Sequence, residues 1–215
     1  PEPATSVGST LIMGGPIKLG ASPIMDVQAD GGRYWRGAVY DKYTGGGWIS
    51  TYGDAASFNA NDTRLNTLND VFRREITQTV RIFAPEFSTL YAAAQPLRVN
   101  LPVEIWRIQP PANVPAAPDI ALIRSRRPLR AGDQSVVVSA LTIADDKSLR
   151  VAGQEYPVGL GNYLQLPDNL PPRVRALARA ITDTALNPYD QAVAIETYLR
   201  AQIKYAVIEK KVDKL

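Results

Sequence analysis

The stretch that decides the fold is Phe-Arg-Arg-Glu-Ile-Thr-Gln-Thr-Val-Arg-Ile-Phe, residues 72–83. Its apolar and polar side chains alternate, with Ile76, Val80 and Ile82 on one face and Thr77, Thr79 and other polar residues on the opposite face. Side chains of a strand point alternately to its two faces, so this period of two predicts a half-buried β-strand. A strand with one apolar face needs a partner layer, which predicts a β-rich core.

Working outward from this strand, short apolar runs separated by turn residues continue on both sides. Ten tyrosines against four phenylalanines, together with 17 prolines and 15 glycines, also favour β structure with many turns. Gly31-Gly32 is predicted to form a hairpin turn, as are 44–47 and 131–133. Residues 53–70 and 110–118 are expected to be loops, and 1–20 an extended lead-in with an apolar patch at 11–13. The further strands predicted are 22–30, 33–43, 48–52, 89–92, 97–99, 103–108, 120–124 and 135–141.

After residue 167 the period changes to that of a helix. Apolar residues recur three and four positions apart in two segments, each beginning with proline signals that suit a first helical turn. The residues concerned are Val174, Leu177, Ala178 and Ile181 after Pro171-Pro172, and Ala192, Ile195 and Leu199 after Asn187-Pro188. The predicted fold class is therefore mainly β, sandwich-like or irregular, with a C-terminal two-helix extension. We expect a β-rich domain over 1–165, a helix pair over 166–211 and vector-derived residues at 212–215.

Charge and composition exclude several function classes. The chain has 215 residues, 24 Lys+Arg and 21 Asp+Glu, giving a net charge of +3, and it has no His and no Cys. Without these two residue types it holds no Cys-His or Ser-His-Asp machinery and no His- or Cys-ligated metal. The basic residues are not clustered as a nucleic-acid surface requires, so no nucleic-acid partner is expected. No cofactor and no catalytic residue is predicted for this chain.

One aromatic and basic cluster has two interpretations. Tyr34, Trp35, Arg36, Tyr43 and Trp48 lie close together in sequence. Aromatic rings stack on sugar faces and Arg binds carboxylates, so the cluster is a candidate surface for cell-wall glycan or peptide. The commoner role of such residues is a core of Trp and Tyr with the arginine paired inside, and we favour it.

The remaining polar motifs are weaker. The triple glycine 45–47 lacks the Lys-Ser/Thr of a phosphate-binding loop and is better explained as a turn. Asp54, Asn59, Asn61 and Asp62 do not have the spacing of a calcium loop. The carboxylates Asp119, Asp145 and Asp146, and Ser125 beside Arg126 and Arg127, suggest no acid–base pair and no Ser-Lys dyad.

Two segments resemble a known family. They are YWRGAVYDKYTGGGW (residues 34–48), and the run from LRVAGQEYP (149–157) through YLQLPDNLPPRVRALARAI (163–181) to NPYDQAVAIETYLRAQIKY (187–205). Both are similar, in order and spacing, to bacterial membrane-bound transglutaminase-like proteins of the TgpA type. The resemblance covers about residues 22–205 and is more specific in the second segment.

The resemblance implies a multi-pass membrane protein with an extracytoplasmic region and a papain-like Cys-His-Asp core. In that family the catalytic Cys follows the two helices, so this chain is expected to end before it, and no catalytic residue is carried over. The partners implied are the remainder of its own chain, namely the transglutaminase core and transmembrane helices. The helix pair, too small to bury both of its apolar faces, would form one wall of that core.

Two functions remain open from the sequence. The first is a non-catalytic extracytoplasmic region that positions the core or gates access of substrates or partners. The alternative is a binding module for cell-wall glycan or peptide. Hydrolase activity of this chain alone is a third, weaker hypothesis.

Overall fold

The computed structural model describes residues 8–12, 22–32, 34–65, 72–84 and 86–203. The prediction of a mainly β fold is confirmed, with 34% of the described residues in strands and 23% in helices. In chain order the strands are β1 (Thr10–Ile12), β2 (Met25–Ala29), β3 (Lys42–Tyr43), β4 (Gly47–Ile49), β5 (Ala56–Phe58), β6 (Arg73–Ile82), β7 (Phe87–Thr89), β8 (Pro96–Val99), β9 (Val103–Ile108), β10 (Asp119–Leu129) and β11 (Gln134–Thr142).

The strands form three antiparallel sheets, with the orders β2-β6-β11-β8, β5-β9-β10-β7 and β1-β4-β3. Strand β6 lies inside its sheet, paired along its length with β11 and also with β2. Its buried side chains are Ile76, Gln78, Val80 and Ile82, which confirms the alternation predicted from sequence. Three of these four are apolar, so β6 supplies one wall of the core.

Both four-stranded sheets contribute to one hydrophobic cluster. Ile82 comes from β6, whereas Ile105 and Leu129 come from β9 and β10, and all three side chains are 0% exposed. Burial of such a side chain contributes about 1.5–3 kcal/mol. The cluster therefore joins the two sheets and carries most of the stabilisation of the β-rich part.

The predicted strand over 33–43 and the hairpin at Gly31-Gly32 are wrong. Strand β2 pairs with β6 and not with the segment that follows it, and within 34–43 only β3 is a regular strand. The segment instead makes two isolated bridges, Arg36 to Ala92 and Ala38 to Leu122. These bridges attach it to two different parts of the chain, and that tertiary role overrides its strand-like sequence.

Other differences concern regular structure that the sequence pattern did not reveal. The expected loop 53–70 contains β5 and a short 3₁₀ turn, Thr63–Leu65, and its residues 66–70 lie outside the described part. Helix α1 (Asp146–Val151) and a 3₁₀ helix (Val158–Tyr163) occur within the range expected to be β-rich. Both helices are too short to show an apolar stripe at helical spacing, so the sequence pattern does not predict them. The predicted strand 48–52 is observed as β4, with different bounds. The predicted strand 89–92 is wrong for most of its length, because only Thr89 lies in a strand, β7, and Ala92 makes an isolated bridge.

The two predicted C-terminal helices are confirmed as α2 (Pro172–Thr182) and α3 (Pro188–Gln202). Asn187 caps α3 as predicted, accepting a hydrogen bond from the backbone N–H of Asp190 at 2.9 Å. Among the described helices, none is long and apolar enough to cross a membrane. The domain border near 165 stays a prediction, and residues 204–215, including 212–215, lie outside the described part, as does most of the lead-in 1–20.

Candidate functional site: a groove beside the 3₁₀ helix

The five residues of the aromatic and basic cluster predicted from sequence have different surroundings in the structure. Tyr43 and Trp48 pack together across the β3–β4 hairpin, with ring centroids 5.0 Å apart. Tyr34 is 70% exposed, while Trp35 is half-buried with its ring close to Gly32. The Tyr43–Trp48 ring pair thus packs within the hairpin. Binding of cell-wall glycan or peptide by the cluster stays a prediction.

Arg36, the fifth member of that cluster, is directed to a different place. Its Nη2 lies 3.8 Å from Oδ1 of Asp119 and donates to the carbonyl oxygen of Ile120 at 3.3 Å. Tyr163 donates its hydroxyl proton to Oδ2 of the same carboxylate at 2.9 Å. Arg36, Asp119 and Tyr163 therefore form one polar network that ties the 34–43 segment, β10 and the 3₁₀ helix together.

This network borders a groove in the surface of the protein, since Asp119 and Tyr163 belong to its lining. A groove of about 310 Å³ lies between the proline-rich connection from β9 to β10 and the 3₁₀ helix. Its volume is at the lower end of the range of small-ligand sites. The lining is mostly apolar, with a few polar groups: Arg73, Gln95, Ile108, Gln109, Pro110, Ala116, Ala117, Pro118, Asp119, Pro157, Gly159, Leu160 and Tyr163.

The electrostatics of the groove are set by that network. Burial first, then the charge of Asp119 and its hydrogen bond, raise the pKa of Tyr163 well above its usual value. The Tyr163 hydroxyl therefore keeps its proton and remains a donor to Asp119. Because Asp119 already accepts from Tyr163 and faces Arg36, this carboxylate is engaged within the protein.

Gln95 enters the groove on a segment held in an unusual conformation. The backbone φ of Gln95 is +66°, in the left-handed region that residues other than glycine rarely adopt. Gln95 also precedes Pro96, and a following proline disfavours right-handed helical backbone. The segment is held by Gln78, whose side chain is 0% exposed and accepts a hydrogen bond from the backbone N–H of Ala93 at 2.6 Å. A buried amide in the sheet thus fixes the backbone that leads to the groove.

Close contact between the 3₁₀ helix and the proline-rich connection depends on one glycine. A Cβ atom at Gly159 would lie 2.7 Å from the Cβ of Ala116, a separation that real Cβ atoms do not reach. Asn162 adds a hydrogen bond from Nδ2 to the carbonyl oxygen of Gln109 at 3.0 Å. The absence of a side chain at Gly159 therefore lets the 3₁₀ helix approach Ala116 of the connection closely.

The groove lining offers side-chain amides, a carboxylate, a guanidinium and a phenol as polar groups. The sequence has no Cys and no His, and among the described residues no group of three or more potential metal ligands comes together. The triple glycine 45–47 forms the predicted turn of the β3–β4 hairpin, with Thr44 N–H bonded to Gly47 O at 3.0 Å. Among the groove residues, the sequence analysis weighed only Asp119 as a candidate functional residue, and it treated Asp119 as an isolated carboxylate.

A second surface lies on the C-terminal helices, where no side chain of α2 or α3 is buried. α2 packs on α3, and α3 contacts α1 through an ion pair in which Arg150 Nε lies 2.8 Å from Oδ1 of Asp190. Large apolar side chains nevertheless remain in contact with solvent. Those of the two helices and the residues around them, with their exposed fractions, are Val174 43%, Leu177 46%, Leu186 90%, Val193 39%, Leu199 45% and Ile203 64%.

Comparisons with known proteins find relatives over only part of their length. No family model matches the chain. It is 27% identical over 203 residues to the uncharacterised protein YebA of Bacillus subtilis, a match that covers 87% of this chain and 26% of YebA.

In structure, the chain is similar to the periplasmic domain of TgpA from Pseudomonas aeruginosa, with a TM-score of 0.49, 17% identity and coverage of 95% of this chain and 66% of that one. The same domain bound to ethylmercury gives a TM-score of 0.40 at 17% identity, covering 81% and 55%. Likenesses at these TM-scores do not establish a shared function. The comparisons therefore show a chain similar to one part of a longer bacterial protein.

Proposed function

We propose that this chain is the non-catalytic extracytoplasmic portion of a membrane-bound transglutaminase-like protein, and that it positions that protein's catalytic core. The motifs at 34–48 and 149–205, which resemble this family, support the assignment. The sequence match to YebA over 26% of its length is compatible with a portion of a larger protein. In this proposal the core supplies a Cys-His-Asp triad, whose Cys and His are residue types that this sequence lacks.

The observation that carries the proposal is the solvent-exposed apolar surface on α2 and α3. Leu177 and Leu199, predicted from sequence as members of apolar stripes, are 46% and 45% exposed, whereas Ile195 is half-buried. Helices of this length gain most of their stability from packing an apolar face. We therefore place the core of the same protein against this surface, so that the helix pair forms one wall of the core.

The proposal is tested in the natural protein extended beyond residue 211. A Cys in the next several dozen residues, followed by His and Asp, is expected. In the extended protein, amide hydrogen exchange across 172–202 should be slower than in the 215-residue chain, because packing of the core would bury the helices. Equal exchange in the two proteins would contradict the proposed packing of the core on α2 and α3. A natural sequence without a cysteine thiol would contradict the family assignment.

A matched pair of substitutions tests whether the core packs on the helix pair. Leu199→Asp places a charge on the proposed contact surface. Leu11→Asp is the control, since it places a charge in the small sheet at a side chain that is 46% exposed, against 45% for Leu199. In the 215-residue chain each should change the free energy of unfolding by less than about 0.5 kcal/mol. In the extended protein only Leu199→Asp should restore fast exchange in 172–202, because a desolvated charge opposes docking.

A further inference from the structure

We propose that the surface of the catalytic core that packs on α2 is acidic, and that its carboxylates pair with Arg173, Arg175 and Arg179. The inference rests on the proposed function, since it names the chemistry of the partner that covers the helix pair. Apolar packing alone would place no requirement on the charge of that partner.

The net charge of the chain is concentrated on α2. This helix carries the three arginines 173, 175 and 179, and it contains neither Asp nor Glu. Without these three, the chain has 21 Lys+Arg against 21 Asp+Glu, so its net charge of +3 equals the charge of this one helix. All three arginines are exposed, so α2 presents this charge at the surface.

The three arginines have no carboxylate partner within the part of the chain that the structure describes. The acidic residues of the neighbouring helix α3 are already engaged, since Asp190 pairs with Arg150 and Glu196 pairs with Arg200. Asp183 directly follows α2 but forms no ion pair with it. The guanidinium groups of α2 are therefore available to another surface.

The position of two of these arginines does not favour the helix itself. Arg173 and Arg175 lie among the first four residues of α2, where the helix macrodipole is positive and cations are unfavourable. Pro171 offers no side-chain cap, and no acidic residue lies in the first turn to offset the two charges. A local arrangement that opposes the element carrying it is typical of a functional surface.

The arginines surround the exposed apolar side chains of α2. Val174 and Leu177 are 43% and 46% exposed. At 3.6 residues per turn, Arg173 lies on one side of the stripe that contains them, and the other two arginines lie on its opposite side. Apolar residues bordered by arginine are common in protein interfaces, and a guanidinium matches a carboxylate in a planar, bidentate geometry. The partner surface that complements α2 is therefore acidic around an apolar centre.

The test measures amide hydrogen exchange of α2 in the extended protein and in the 215-residue chain. The protection that the core gives to α2 is the ratio of the two exchange rates. Raising NaCl from about 0.05 M to about 0.5 M should lower this protection about fivefold, because salt screens exposed ion pairs.

A pair of double variants locates the charge that matters. Arg173→Gln with Arg175→Gln should lower the protection about fivefold at low salt. In the 215-residue chain the same variant should not exchange faster, because removing cations from the helix N-terminus favours the helix and Gln has a helix propensity close to that of Arg. The control, Arg126→Gln with Arg130→Gln, removes two exposed charges at the end of β10 and should change the protection by less than about twofold.

The outcomes separate this inference from the proposed function. Protection of α2 that neither salt nor the Arg173 and Arg175 substitutions reduce would overturn the acidic surface and leave the packing of the core standing. Absence of any protection would contradict both. Equal effects of the two double variants would show a response to overall charge, which also overturns the inference.

Two further measurements complete the test. Thermal melting of each variant beside the wild type ensures that loss of fold is not mistaken for loss of packing. The 215-residue chain is also sedimented with phosphatidylglycerol vesicles, and no binding through α2 is expected. Sedimentation that disappears in the Arg173 and Arg175 double variant would assign these arginines to an anionic lipid surface and overturn the inference.

Discussion

Replacing the buried amide of Gln78 by the thioether of methionine should destabilise the protein strongly. The side chain is 0% exposed and makes three hydrogen bonds: Nε2 donates to Ser139 Oγ at 2.9 Å and to Val137 O at 3.2 Å, and Oε1 accepts from Ala93 N–H at 2.6 Å. Methionine keeps the length of the side chain and removes all three bonds. The comparison therefore isolates hydrogen bonding from packing.

The magnitude follows from the groups left behind. Gln78→Met deprives the buried N–H of Ala93 and the fully buried hydroxyl of Ser139 of the partner described above. Each buried polar group without a partner costs about 1–3 kcal/mol. Methionine recovers part of this through its more favourable transfer from water, so we expect a net loss of about 2–4 kcal/mol in the free energy of unfolding.

Urea denaturation followed by tryptophan fluorescence measures this loss, with Gln28→Met as the control. Gln28 lies on the neighbouring strand β2 and is exposed, so the same substitution there should cost less than about 0.5 kcal/mol. The slope of the transition should stay unchanged in both variants, since the surface exposed on unfolding is the same. A Gln78→Met protein as stable as Gln28→Met would refute the claim that this amide clamps the segment before Pro96.

Three further outcomes follow from the structure. Leu129→Ala, at a side chain that is 0% exposed, should lower the free energy of unfolding by about 2–5 kcal/mol, which chemical denaturation can measure. Tyr163→Phe removes the hydroxyl bound to Asp119 and should cost about 1 kcal/mol. It should also remove one phenol with a raised pKa from the alkaline end of an ultraviolet pH titration, and an unchanged titration would contradict the burial of Tyr163. Hydrogen bonds, chiefly from Arg150 and also from Asn187, lower the pKa of the Asp190 carboxyl in the folded protein. The contribution of this carboxylate to stability is therefore complete above the pKa of about 3.9 that Asp has in the unfolded chain. It is lost as the pH falls through the lower pKa of the folded state. Arg150→Gln should therefore reduce this acid-dependent loss of stability, and an identical acid transition in the two proteins would count against the link between α1 and α3.

The success of sequence reasoning depended on periodicity. Strand β6 and helices α2 and α3 were predicted because one apolar face recurs at a fixed spacing. The segment 34–43 has aromatic residues on both faces, so its sequence resembles a strand although it makes only isolated bridges outside β3. Its position is decided by Ala92 and Leu122, which are distant in sequence.

The groove could not be predicted from sequence for a similar physical reason. It joins the β9–β10 connection to a 3₁₀ helix about 40 residues later, and neither segment has a periodic pattern. Gln95 gives no signal of a positive φ, since Gly and Asn are the residues usually found there. Two signals were available: the glycines at 159 and 161, and the prolines on both walls.

The order of strands β2-β6-β11-β8 has a consequence for biogenesis. The central strand β6 pairs with β11, whose first residue, Gln134, lies opposite Arg81. During synthesis β6 therefore emerges long before its partner and exposes hydrogen-bonding groups along one edge, a situation that invites pairing with other chains. Helices α2 and α3, by contrast, can form as soon as they emerge, because their contacts are local. We therefore expect the nascent β-rich part to need chaperone protection until β11 has emerged.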